Sequence, residues 1–205
     1  MKEANTENLI LQAARKTFIL KGKDGARMQE IADVAGVNKM LLHYYFRNKE
    51  NLFERVIEDI IEQLLNSVVK ISVRAERFQD FLKTFIDHHI DFLQENQDTL
   101  YFVLWEIRKD KSILKNIFMK KFQEMGGTPY DYLADKIRSA VKSGEIKPVE
   151  PADFVLTLAS LDIFPFIVLS PLAFITDMND NRIAQLIDQR KKEVFRLLWN
   201  DIKAG

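Results

Sequence analysis

The sequence predicts an all-helical protein, and three observations support this fold class. Apolar residues recur at spacings of three and four along most of the chain, which is typical of amphipathic helices. Glycine and proline are scarce, at 7 and 5 of 205 residues. No stretch alternates apolar and polar residues over more than a few positions, so strands are not indicated. We expect a small N-terminal helical domain, residues 1–48, followed by a larger helical domain, residues 49–205.

Composition excludes several functional classes. There is no cysteine, which rules out disulfides, thiolate metal sites and cysteine nucleophiles. The 30 basic and 30 acidic residues cancel, so the chain is not polybasic overall. Residues 1–50 nevertheless carry nine basic and six acidic residues, a modest positive excess. The first residues lack the apolar core of a signal peptide, and we expect a cytoplasmic protein.

The N-terminal helices follow from capping signals. Asn5 or Thr6 can cap a first helix that Gly22 ends. A second, short helix ends at Gly36, where glycine tolerates a left-handed backbone. Asn38 caps a third helix from Lys39 to about residue 46, and Asn48 caps a fourth that runs from residue 49 to about 73. Two short helices around a tight turn, braced by a preceding helix, form a helix-turn-helix.

The residues of this segment form a recognisable motif. Its elements are Ile10-Leu11-x-Ala13-Ala14-x-x-x-Phe18, Gly22, Ile31-Ala32-x-x-Ala35-Gly36-Val37, Leu42-x-x-Tyr45-Phe46 and Lys49-Glu50-x-Leu52-Phe53. Residues 10–53 therefore resemble the DNA-binding domain of the TetR/AcrR family of bacterial transcriptional regulators. The resemblance covers about a quarter of the chain. It implies a ligand-responsive regulator, in the commoner mode a repressor, that binds a palindromic operator as a dimer.

Candidate DNA contacts follow from the faces of the third helix. Leu42, Tyr45 and Phe46 are expected to face inward, which leaves the other side chains outward, towards the major groove. The candidate DNA-binding residues are Arg27, Asn38, Lys39, Met40, Leu41, His43, Tyr44 and Lys49. Three departures from the family pattern make the operator sequence unreadable: Arg27 where a capping threonine or serine is usual, Met40-Leu41 in place of a common Gly-Thr pair, and His43 in place of a tyrosine.

The dimer interface is predicted to lie in the C-terminal third of the chain. Residues 154–175 are apolar for long enough to span a membrane, but Asp162, Pro165 and Pro171 interrupt them, so a buried or subunit-facing helix is favoured and no membrane is expected. A second apolar stripe lies in about residues 181–203. By resemblance, a homodimer forms through these two helices, about 151–175 and 181–203.

The middle of the chain is rich in aromatic residues, which at helical spacing are usually core packing. The resemblance implies an effector pocket among them that would take a small, largely apolar or aromatic molecule. Asp162 needs a partner, water or a cationic ligand if it is buried. The candidate ligand-binding residues are Phe85, His89, Phe102, Trp105, Phe122 and Asp162.

Other classes of site are weakly indicated. His88 and His89 are adjacent and point about 100° apart on a helix, which disfavours a shared metal ion. No catalytic motif stands out, so we expect neither an enzyme nor a cofactor. The alternative function is a helical adaptor or an activator whose first domain binds protein rather than an operator. Binding that weakens steeply with salt would favour DNA over this alternative.

Overall fold

The computed structural model describes residues 2–69, 77–109 and 111–204. Within these ranges the chain is helical, and its only β-type pairing is an isolated antiparallel bridge between Ile146 and Lys203. The described helices are α1 Lys2–Gly25, α2 Met28–Ala35, α3 Lys39–Tyr45, α4 Lys49–Val69, α5 Phe78–Glu95, α6 Gln97–Lys109, α7 Lys111–Met125, α8 Pro129–Lys142, α9 Pro151–Thr176 and α10 Asp180–Ile202. The predicted all-α fold is confirmed.

Two helix boundaries differ from those expected. Helix α1 begins at Lys2, so the prediction that Asn5 or Thr6 caps it is wrong; the good helix formers that precede them extend the helix instead. Gly22 interrupts α1 as predicted, with φ 68° and ψ 173°, but a further short turn continues to Gly25. Helix α4 is described to Val69, and its predicted end near residue 73 lies outside the described residues.

The chain forms two compact units, which divide it differently from the boundary expected at residue 48. The first unit contains the residues up to Gln63 together with Asp98–Lys121. It therefore holds the helix-turn-helix and also most of α6 and α7. Its core is aliphatic and aromatic: Phe18 is fully buried with its ring edge against Phe53, at 5.1 Å between centroids, and Phe53 contacts Phe102 at 6.2 Å.

The second unit comprises Leu64–Gln97 and the chain from Phe122 onward. Helix α5 packs against α8, α9 and α10 there, and its buried face includes Leu82, Ile86 and Ile90. Helix α8 begins with a capping box, in which Thr128 and Asp131 exchange hydrogen bonds with each other's backbone amides. The C-terminus of α10 is fixed by the Lys147 amide, which donates to the Ile202 carbonyl at 2.7 Å.

Helix α9 is unusually apolar. Over Pro151–Leu169 its mean hydropathy is 1.9, so length and composition alone would allow it to cross a membrane. Only 22% of that stretch is buried within the chain. An apolar helix this exposed requires a further covering surface, since monomeric soluble proteins rarely leave such area in water.

Candidate nucleic-acid interface and effector residues

The turn between α2 and α3 is built by Gly36 and Asn38. Gly36 has φ 68° and ψ 27°, a left-handed conformation that glycine adopts without a Cβ penalty, and its amide bonds back to the last turn of α2. Asn38 then caps α3, because its side-chain oxygen accepts from the Leu41 amide at 2.7 Å. The cap and the turn together fix where α3 starts and the direction in which its first residues point.

Helix α3 has one buried and one solvent-facing side. Leu42 is fully buried, the capping residue Phe46 is 7% exposed and Tyr45 is half-buried. The opposite side carries Met40 at 83% and Tyr44 at 76% exposure, together with the exposed Lys39 and His43. Leu41 is half-buried between the two sides. Large apolar side chains at this exposure are unusual for a structural helix, and they are available to contact a partner.

Two outward side chains have local partners that orient them. His43 Nδ1 lies 3.1 Å from the Arg47 carbonyl, so Nδ1 is the donor and Nε2 remains an acceptor. The ring of Tyr44 meets Tyr45 edge to face at 5.4 Å. The outer surface of α3 therefore offers a cation, an apolar pair, an imidazole nitrogen and a phenol.

Positive charges flank α3. Arg27 lies at the N-cap of α2 in an extended conformation and its side chain makes no capping bond, which agrees with the loss of the usual cap. Asn48 caps α4 by accepting from the Asn51 amide at 2.8 Å. The Lys49 ammonium donates to the carbonyls of Asp24 and Ala26, at 3.4 and 3.3 Å. Lys49 therefore also ties the first turn of α4 to the loop between α1 and α2.

Helix α6 contacts the helix-turn-helix side of the first unit at three points. Arg15 donates to the Thr99 hydroxyl at 3.3 Å, Phe102 packs on Phe53, and the Lys109 ammonium pairs with Asp24 at 2.9 Å. The sequence alone does not reveal these links, because no spacing rule relates α1 or α4 to residues about 50 to 85 positions later.

In the second unit, three of the predicted effector residues lie together. His89 Nδ1 is 3.0 Å from Asp162 Oδ2, and the rings of Phe85 and His89 are 5.3 Å apart. Asp162 is fully buried and its Oδ1 finds no hydrogen-bond partner among the described residues. Burial raises the pKa of Asp162, against the lowering effect of the His89 hydrogen bond.

Arg190 of α10 is the residue of this cluster that sequence reasoning missed. Its guanidinium donates to the Leu161 carbonyl at 3.2 and 3.3 Å and acts on the Asp162 carboxylate through its charge. The need for a partner of Asp162 was visible in the sequence, but nothing in the spacing selected Arg190 among the charges of α10.

The other three effector candidates are placed elsewhere. Phe102 and Trp105 belong to the first unit, where Phe102 is buried and Trp105 is 58% exposed, with the Lys109 ammonium 5.7 Å from its ring centroid. Phe122 is half-buried near the end of α7, in the second unit. Groups of three or more His, Asp or Glu side chains that could hold a metal ion are absent from the described residues.

The geometry of α2, its turn and α3 is that of a helix-turn-helix, a motif that DNA-binding proteins use. Residues 10–56 match the family model described as bacterial regulatory proteins, tetR family. The chain is 26% identical over 156 residues to the HTH-type transcriptional regulator YhgD of Bacillus subtilis, covering 71% of this chain and 74% of that protein. It is 23% identical over 158 residues to the HTH-type transcriptional repressor NicS of Pseudomonas putida, covering 77% and 72%.

A solved structure shares the whole fold. A crystal structure assigned to a TetR-family transcriptional regulator of Mesorhizobium loti superposes over 100% of both chains with a TM-score of 0.71, at 22% sequence identity. The family model, the curated relatives and the shared fold together indicate a TetR-family DNA-binding transcriptional regulator.

Proposed function

We propose that the protein is a ligand-responsive repressor that binds a palindromic operator as a homodimer and is released by a small, largely apolar or aromatic effector. The observation that carries the proposal is the outer side of α3, which exposes four candidate contacts beside the half-buried Leu41, while Leu42 and Phe46 anchor the helix from behind. An α-helix presented in this way fits the major groove of B-DNA. Because the protein acts on DNA in a bacterial cell, we place it in the cytoplasm.

The outward side chains have different roles in this proposal. Lys39 can donate to guanine or to phosphate, Met40 and Leu41 can contact thymine methyl groups, and His43 and Tyr44 can reach base edges or phosphate. Arg27, Asn38 and Lys49 lie at helix starts, where side chains and free amides can share a phosphate.

Two variants separate base contacts from phosphate contacts. We expect Lys49→Ala to weaken binding to all DNA sequences about equally, because phosphates carry no sequence information. We expect Met40→Ala to alter the ranking of sequences by about 1–3 kcal/mol at the affected base pair. Both are measured by fluorescence anisotropy on a panel of operator variants, with Lys142→Ala, an exposed cation on α8, as the control. Equal effects of the two variants on affinity and on sequence preference would contradict these roles. DNA binding that does not depend on salt would favour the alternative in which the first domain binds protein.

Exposed apolar residues on α9 and α10 support the homodimer. Five large apolar side chains of these helices are exposed: Phe174 (86%), Ile175 (76%), Leu156 (68%), Phe164 (60%) and Leu197 (42%). A groove of about 520 Å³ on α9 continues this surface beside Arg190. Two copies that pack these helices as a four-helix bundle would bury the exposed area without a membrane. We expect a dimer mass by light scattering at micromolar concentration and a monomer for Phe164→Asp; a parent chain that is monomeric would refute the dimer.

The effector is proposed to act through the second unit. Phe85, His89 and Asp162 supply two buried rings and one buried carboxylate, and apolar surroundings with a few polar groups are typical of small-molecule sites. Phe102, Trp105 and Phe122 remain candidates for the same role. A ligand would release DNA only to the extent that it binds the DNA-incompetent state more tightly, and a coupling of about 1–3 kcal/mol changes operator affinity five- to 150-fold. Helix α4 contains residues of both units and is the element through which we propose the coupling runs.

The effector proposal is tested by screening small aromatic and apolar compounds for release of a labelled operator. We expect an active compound to lose its effect in Asp162→Leu while operator binding in its absence is retained. Retention of the compound's full effect in this variant would remove Asp162 from the site.

A further inference from the structure

A basic and aromatic surface lies at the C-terminal end of α6, and of its three residues only Trp105 is also an effector candidate. Trp105, Arg108 and Lys109, which we call the α6 patch, line an open cleft of about 390 Å³. Trp105 is 58% exposed, Arg108 is exposed, and the Lys109 ammonium lies 5.7 Å from the Trp105 ring centroid. An exposed tryptophan ring beside two cations can contact a partner that carries both apolar and anionic groups.

The α6 patch is joined to the expected DNA-facing loop. Lys109 pairs with the Asp24 carboxylate at 2.9 Å, and the carbonyl of the same Asp24 accepts from Lys49 at 3.4 Å. Asp24 lies three residues before Arg27, whose position we have proposed for phosphate contact. Lys109 and Lys49 therefore converge on Asp24, at the C-terminal end of α1, and the α6 patch extends the cationic surface of the helix-turn-helix.

Charge distribution points to the same partner. Residues 98–121 hold six basic and three acidic residues in a chain with no net charge, an excess as large as that of residues 1–50. Of the basic residues of α7, Lys120 and Lys121 are paired with Glu58 and Glu62 at 2.9 Å. Arg108 is exposed to solvent, and Lys109 beside it is paired with the Asp24 carboxylate. Two cations at this place suit a polyanion that already contacts the neighbouring helices.

We propose that Arg108 and Lys109 bind backbone phosphates that flank the operator half-site, with Trp105 packed against the sugar–phosphate chain. The inference rests on the proposed operator binding and extends its footprint beyond the helix-turn-helix. In the free protein the Asp24 carboxylate is paired with the Lys109 ammonium, and the Asp24 side chain is 82% exposed. The Lys109 hydrogen bond lowers the pKa of Asp24, so the carboxylate is charged at neutral pH. A DNA phosphate displaces the Asp24 carboxylate from Lys109, because an exposed single ion pair is weak. One ammonium cannot form full charge-assisted hydrogen bonds with both anions at once.

The first test is the salt dependence of DNA binding. The probe is a duplex recovered by selection from random DNA, extended by about one helical turn, roughly 10 bp, on each side. We expect the double variant Arg108→Gln/Lys109→Gln to reduce the slope of log K against log salt by about 0.9 for each phosphate that the variant no longer neutralises, about equally for all sequences. Lys142→Gln is the matched control and should leave the slope unchanged. An unchanged slope in the double variant overturns the inference.

Asp24→Asn separates phosphate binding from a purely structural ion pair. This variant breaks the same Asp24–Lys109 pair but keeps both cations and removes a competing negative charge. We expect it to bind the extended duplex at least as tightly as the parent, and Lys109→Arg to retain the parent slope. If Asp24→Asn weakens binding as much as Lys109→Gln does, the pair only holds the loop in place and the inference is wrong.

Trp105 itself provides a second readout. In Trp199→Phe, Trp105 is the only tryptophan. We expect the extended duplex to protect it from acrylamide quenching, and a duplex trimmed to the operator to protect it less. No protection by the extended duplex contradicts the inference while leaving operator binding intact. Failure of the parent to bind any duplex would instead overturn the proposed function.

Discussion

The buried Asp162 makes stability depend on pH in a direction that can be measured. Asp162 is fully buried, with one carboxylate oxygen 3.0 Å from His89 Nδ1 and the other without a partner among the described residues. Burial raises the pKa of this carboxyl above 3.8, its value in the unfolded chain. The folded state thus holds the proton more tightly than the unfolded state. Its contribution to stability is fully present below pH 3.8 and is lost as the pH rises through the folded pKa.

Asp162→Asn removes this proton-linked contribution and keeps the shape of the side chain. The amide oxygen can still accept from His89 Nδ1. Between 3.8 and the folded pKa, one proton is worth about 1.4 kcal/mol for each pH unit. As the pH rises towards the folded pKa, we therefore expect the free energy of unfolding of the variant to increase relative to that of the parent, by up to about 1.4 kcal/mol for each pH unit. Above the folded pKa this difference should stay constant.

Urea unfolding followed by circular dichroism, from about pH 4 to 8 at fixed protein concentration, measures this difference. Asp188→Asn, at an exposed carboxylate of α10, controls for the loss of one negative charge. A difference between parent and Asp162→Asn that is flat across this range would show that Asp162 is solvated or fully paired. That result would also remove the argument for a ligand anchor at this position.

Three further substitutions test the helix-turn-helix. Asn38→Ala removes the cap of α3 and should cost about 1 kcal/mol in thermal unfolding, with weaker binding to every DNA sequence. Gly36→Ala should cost about 1–2 kcal/mol from the left-handed backbone alone, because a Cβ there meets nothing within 4 Å; no loss of stability would mean that the turn is relaxed. Phe18→Ala deletes a fully buried ring beside Phe53 and should cost about 3–5 kcal/mol in the same unfolding experiment.

Local signals in the sequence were sufficient for the helices and the outer side of α3. Gly36, Asn38 and Asn48 act through their immediate neighbours, and each occupies its predicted role. The apolar spacing of Leu42 and Phe46 similarly determines which side of α3 is buried. The start of α1 was misplaced because several residues in succession could begin a helix, and propensity alone does not choose among them.

Long-range pairings were beyond the sequence. A buried Asp162 could be seen to need a partner, but His89 and Arg190 reach it only through the packing of α5 and α10 against α9. The salt bridge from Lys109 to Asp24 joins positions with no shared periodicity. Such contacts depend on how helices pack in three dimensions, which one sequence does not encode in its local pattern.

Selection of bound sequences from random DNA, by the parent and by Met40→Ala in parallel, tests most directly whether the outer side of α3 contacts operator bases. We expect the parent to enrich a twofold-symmetric site and Met40→Ala to change the preferred base at matching positions of both half-sites. Enrichment of the same site by both proteins, with no altered position, would contradict it.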